Sequence, residues 1–277
     1  MKNFQKAVSA ILTSVIVLGC GSALHADTGV VDIDKYNFPD KNFREYVYYA
    51  FDKNTDHSLD ANEIAQIKTI SDCDMYASEG LTAATSLKGI EYFTSLETLE
   101  FTDDCNLDEL DLTNTNIKNV KLVDIPMKTI RIGSSVENLE ITWAINLRTL
   151  DFSKATNLKN LILDQDYYFS KVESDKLKVL DLSACGKLES LKLSFFPCKE
   201  IRFSNQITKL TMNTESIKTK YIDFSECKNL TYLDLGFATI KSVDLPSQLF
   251  SICNSTYKVS SERGADTYKG NGCTLIF

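Results

Sequence analysis

The sequence predicts a mostly β solenoid: two parallel sheets, one strand per half-coil, closed at the N-terminal end by a small helical cap. Three observations predict it. An apolar-x-x-apolar-x-apolar unit recurs from Leu96 to Leu245. Apolar residues inside each unit alternate, which is the period of a strand with one face inward. Ahead of the repeats, "DKNFREYVYYAF" places Phe43, Val47 and Phe51 on one helical face.

The chain is long enough for this, with 277 residues of which 43% are hydrophobic. Charged residues make up 25%, so it is not a disordered acidic tail. A net charge of −8 and the absence of any Lys/Arg cluster argue against nucleic acid as partner. At the start, Lys2 and Lys6 precede an apolar run from Ala7 to Gly19 and then small residues. Residues 1–26 therefore read as a secretory signal, too short and wrongly flanked to span a membrane. Two processing outcomes stay open. Val17-Leu18-Gly19-Cys20 has the form of a lipobox, with Cys20 as a lipid anchor, and cleavage after Ala26 would instead free a soluble chain. Both export the protein, to the medium or the cell surface. No second run of membrane-spanning length follows.

Residues 27–66 form the expected cap. Within it, "FDKNTDHSLDANEI" carries the ligand rhythm of an EF-hand loop. The expected donors are Asp52, Asn54, Asp56, the Ser58 carbonyl, Asp60 and Glu63, with Leu59 as the inward apolar residue. Asp60 and Glu63 also have capping-box spacing for a second helix. One position departs: His57 stands where glycine is expected, because the chain turns there with positive φ. A site of this quality binds calcium weakly, at about 10⁻⁴–10⁻³ M in extracellular modules. The loop occurs once, which suits a structural staple on the first coil better than a sensor.

Residues 67–255 hold the repeats, in two alternating series. One comprises "LDELDL", "MKTIRI", "LRTLDF", "LKVLDL", "CKEIRF", "TKYIDF" and "IKSVDL", from residues 107, 127, 147, 177, 198, 219 and 240. The other comprises "LETLEF", "IKNVKL", "VENLEI", "LKNLIL", "LESLKL", "ITKLTM" and "LTYLDL", from residues 96, 117, 136, 158, 188, 207 and 230. Within each series the step is about twenty residues, except where an insertion, Asp164 to Ser174, lengthens one turn. LxxLxL units at such a period mean leucine-rich repeats. Cys185, Cys227, Ala155 and Thr115 share the slot after the first series, where a small side chain turns inward at the corner. These thiols are expected to be buried and inert. Residues 256–277 are a C-terminal cap or tail, and Cys253 and Cys273 flank its irregular stretch. A disulfide between them stays open.

The segment Phe38 to Ile70, followed by "LKGIEYFTSLETLEF", resembles the entry to secreted leucine-rich-repeat proteins of Gram-positive bacteria, broadly of internalin type. In these an "FPD…FR.YV" helix and a calcium-like loop introduce the repeats. The resemblance implies export and a solenoid, but names no ligand.

For a partner, the position two past each unit's last apolar residue points outward beside the sheet. In the series from Leu96 it reads Asp103, Asp124, Trp143, Gln165, Phe195, Thr214 and Phe237. Trp143, Phe195 and Phe237, with Tyr232 on the last strand and Tyr167 and Tyr168 in the insertion, form the expected partner-binding set. The other series carries Asp111, Asp151, Asp181, Asp223 and Asp244, expected as a hydrogen-bonded or solvated column. His57 is the single histidine after the signal, so histidine triads have no base. The expected function is non-catalytic recognition of a protein or glycan at the cell surface. Alternatives are a carboxylate-pair glycosidase, another extracellular hydrolase, or a structural envelope component.

Overall fold

The computed structural model describes residues 29–72, 80–102, 105–165, 177–196, 198–213, 221–235, 242–246, 267–270 and 273–276. The signal, Cys20, Cys73, Tyr167, Tyr168, Phe237, Cys253 and any Cys253–Cys273 disulfide lie outside these residues.

The cap contains β1 (Val31–Asp32), α1 (Lys41–Phe51), β2 (Ser58–Leu59) and α2 (Ala61–Gln66). Asp40 starts α1 by accepting the Phe43 N–H, and α2 has a full capping box between Asp60 and Glu63. β1 and β2 pair antiparallel, Val31 opposite Leu59. The loop strand β2 therefore has its edge covered by the chain's own preceding segment.

The cap is fastened to the first coil through aromatic rings. Phe93 packs against Phe38 (5.9 Å), Phe43 (6.3 Å) and Phe51 (5.7 Å). The Asp40 carboxylate also accepts from the N–H and hydroxyl of Thr85. Gly89 in "LKGIEYF" adopts φ +107°, and a Cβ there would overlap the Phe38 ring. That glycine is required twice over, by conformation and by space.

After β3 (Thr69–Ser71) come β4 (Thr98–Phe101), β5 (Glu109–Asp111), β6 (Asn119–Val123), β7 (Thr129–Arg131), β8 (Asn138–Thr142) and β9 (Thr149–Asp151). Then follow β10 (Asn160–Asp164), β11 (Leu177–Asp181), β12 (Ser190–Ser194), β13 (Cys198–Arg202), β14 (Lys209–Asn213), β15 (Tyr221–Asp223), β16 (Tyr232–Asp234) and β17 (Ser242–Asp244). A terminal hairpin, β18 (Thr267–Gly270) and β19 (Cys273–Ile276), completes the chain. This is the leucine-rich-repeat β-solenoid read from the sequence. Strands β4 to β16 of even number, with β3 at one end and β19 and β18 at the other, build one sheet in the order β18-β19-β16-β14-β12-β10-β8-β6-β4-β3, parallel throughout except at β18. Apolar residues of successive units stack in register, as in Leu99, Val120, Leu139, Leu161, Leu191 and Leu210, all buried.

The second side differs from the two-sheet expectation. It is not continuous, but divides into β5-β7-β9, β11-β13 and β15-β17. The first break, between β9 and β11, is where the insertion enters the chain, between β10 and β11. β10 and β12 still pair across it along their whole length.

Candidate functional site

The outward face of the ten-stranded sheet is the largest regular surface described. Its residues follow from parity: with Leu139 and Ile141 inward, Asn138, Glu140 and Thr142 face out. Register aligns Thr98, Asn119, Asn138, Asn160, Ser190, Lys209 and Tyr232 in one column. Asn138 donates to the Asn119 amide oxygen at 2.8 Å, and Asn160 donates to Asn138 at 2.7 Å. The amides thus form a head-to-tail ladder across β6, β8 and β10. Sequence reasoning missed it, although the third position of the units at 117, 136 and 158 is asparagine each time.

Charges on either side alternate from rung to rung and pair. Lys118 meets Glu97 at 3.2 Å, Lys121 meets Glu100 at 3.3 Å, and Lys159 meets Glu137 at 2.7 Å. The Lys159 ammonium holds the Glu137 carboxyl below the usual carboxylate range. Between these pairs lies a trough of about 400 Å³ along Thr98, Glu100, Asn119, Asn138, Glu140 and Ile162.

Trp143 and Phe195 do occupy equivalent places, directly after β8 and β12. Both are left-handed, at φ +57° and +51°, as is Asp124 after β6 at φ +50°. Bulky residues rarely adopt this conformation. It bends the chain out of the sheet while its N–H continues the ladder, Trp143 donating to the Asp164 carbonyl at 2.9 Å. Trp143 is 42% exposed and Phe195 half-buried. Gln165 corrects the expectation for this column, because it is buried. Its backbone has no positive φ, so the turn that exposes its neighbours is missing at the start of the insertion. Tyr232 lies in the asparagine column, not beside the edge aromatics. Lys209 sits over its ring at 5.4 Å and its hydroxyl reaches Asp234 at 3.4 Å.

In the acidic loop, His57 adopts the positive φ its position requires, +64°, and Thr55 does so at +60°. His57 stacks on Tyr48 at 4.6 Å, an anchor glycine would lack. The loop oxygens accept backbone N–H groups: Asp52 from Asp56 and His57, Asn54 from Asp56, Asp56 from Ser58. Glu63 accepts from Lys53 and Asp60, and Asp60 from Asn62 and Glu63. The donors are hard oxygens, the chemistry calcium takes. Among the described residues, however, no group of three or more His, Cys, Asp or Glu side chains is placed to hold a metal ion.

On the opposite side the aspartate column acts structurally. Asp111, Asp151, Asp181 and Asp223 each accept the N–H two residues on, from Thr113, Ser153, Ser183 and Ser225. That bond closes the turn after each short strand and explains the recurring Asp-x-Ser/Thr. It lowers the carboxyls of Asp151, Asp181 and Asp223, with the Ser183 and Ser225 side chains as the first cause in the latter two. At the corner, Thr115, Ala155, Cys185 and Cys227 are buried as expected, and Gly133 and Ser204, which directly follow the units at 127 and 198, are buried against the preceding turn, Ser204 donating to the Cys185 carbonyl. Burial pushes the Cys185 thiol up to about 12 and Cys227 to about 11, so both are inert at neutral pH.

No protein-family model matches the chain, and no curated protein matches it. Solved structures similar to it include internalin C2 from Listeria monocytogenes, at 17% identity over 75% of this chain and 78% of that one, with a TM-score of 0.32. Another is the functional domain of InlJ from Listeria monocytogenes, which includes a cysteine ladder. It shares 14% identity over 79% of this chain and 64% of that one, with a TM-score of 0.24.

Proposed function

We propose that this chain is an exported, non-catalytic binding protein that displays its large sheet to a protein or glycan partner at the cell surface. The observation that carries this reading is the sheet face itself, with side chains fixed rung to rung by amide hydrogen bonds and ion pairs. Such pre-ordering lowers the entropy a surface loses on binding. An exposed indole at its edge, held in a strained conformation, is a natural anchor. Hydrogen bonds hold the carboxyls of Asp40, Asp56, Glu137, Asp151, Asp181 and Asp223 below the usual range, whereas a general acid needs a raised one.

The test replaces Trp143 and Phe195 together with Asn, which tolerates positive φ. Adhesion of purified protein to host cells should fall at least tenfold with an unchanged melting curve. Full retention of adhesion would remove the aromatic edge from the site.

Calcium is part of the proposal, as a stabiliser of the cap through Asp52, Asn54, Asp56, Ser58, Asp60 and Glu63. An oxygen has a second lone pair, so accepting an N–H does not prevent it from binding a cation. Thermal unfolding in calcium and in EDTA decides the matter: a higher midpoint with calcium is expected, and superimposable curves would eliminate a structural ion.

A further inference from the structure

We infer that the trough over β4, β6, β8 and β10 binds a linear, uncharged glycan lying across the strands; this rests on the display reading above and names its partner class. The lining is the first reason. It is dominated by the Asn119–Asn138–Asn160 ladder, in which Asn138 spends one N–H and one oxygen lone pair on its neighbours, Asn119 one lone pair and Asn160 one N–H. The second N–H and second lone pair of each amide stay available, so a donor and an acceptor recur at every rung. Strands stand about 4.8 Å apart, and β6, β8 and β10 present this pattern over roughly 10 Å. A sugar ring in a linear chain is about one rung long, so successive hydroxyls meet successive amides.

Charge decides against other occupants. Lys121 is neutralised by Glu100, and the flanking pairs Lys118–Glu97 and Lys159–Glu137 are closed. What remains in the trough is Glu140, which has no ion-pair partner among the described residues. One carboxylate with three amides repels a polyanion and suits hydroxyl donors. The trough also lacks the arginine and aromatic anchors that the centre of a protein interface uses, since Trp143 stands at the strand end, outside the lining.

The experiment is affinity electrophoresis of the full chain in native gels containing hydroxyethyl cellulose, galactomannan, mixed-linkage β-glucan, heparin or polylysine. Retardation by at least one of the three neutral polymers is expected, and none by heparin. Asn138→Asp, which keeps the size but breaks the ladder, should weaken that retardation at least tenfold. Glu140→Gln, an exchange on a solvated face, should weaken it several-fold and serves as the second probe if Asn138→Asp fails to fold. Retardation by heparin or polylysine alone, by none of the polymers, or equally for folded Asn138→Asp or Glu140→Gln and the parent would overturn the glycan assignment. Adhesion that is lost in the Trp143/Phe195 variant but unchanged in Asn138→Asp would leave the display reading standing with a different partner.

Discussion

The two sides of the coil are built from the same six-residue unit, yet they are constrained differently. On the large-sheet side, strands reach five residues, pair without interruption and vary freely in their outward positions. On the other side, β5, β9, β11 and β15 each end in an aspartate that accepts the N–H of the Ser or Thr two residues on, and the chain then runs into a corner lined by small side chains. Closing the coil therefore falls to one side, and the other is left free to carry a surface.

The sharpest way to break that contrast is at the corner. A Cβ on Gly133 would overlap the Leu112 carbonyl oxygen, while one on Gly186 meets nothing. Gly133→Ala should cost about 3 kcal/mol by overpacking against backbone, and Gly186→Ala should stay within about 0.5 kcal/mol in urea unfolding. Equal effects would show that the corner is not the constraint. Next come the turns. Asp181→Ala deprives the Ser183 N–H and hydroxyl of their acceptor, and about 1 kcal/mol or less is expected because the site is partly solvated. The sign with pH follows from the lowered carboxyls of Asp151, Asp181 and Asp223. Their folded values lie below their unfolded ones, so the stability they contribute is complete above the ordinary carboxylate range. It disappears as the pH falls through the folded values, and a urea midpoint followed downward from neutral pH should drop there, less so in Asp181→Ala. The smallest effect belongs to the large sheet. Lys159→Met opens an exposed ion pair and should lower the midpoint slightly at low salt and leave it unchanged at high salt.

The repeats were legible because leucine parity is a direct image of inside and outside. Leu139, Leu161 and Leu191 could be placed in the core from spacing alone, and the turn at His57 from its place in the loop. Parity fails where a strand ends. Beyond Thr142 and Ser194 the chain turns left-handed, and whether it does so depends on the following loop, so Gln165 is buried where Trp143 and Phe195 emerge. The asparagine ladder was visible as a column of letters, but its meaning depends on register between coils. That register is carried by the β6–β8 and β8–β10 pairings, which set Asn119 opposite Asn138 and Asn138 opposite Asn160. The division of the second side had no sequence signal beyond the insertion.

Phe93 belongs to the repeat side of the boundary by sequence and to the cap by packing, since three cap rings close around it. The cap is consequently not a detachable module. Grafting it onto a foreign solenoid would require transferring residues 29–102 as a block, whereas a junction cut at residue 67 would strand the hub on one fragment and its socket on the other.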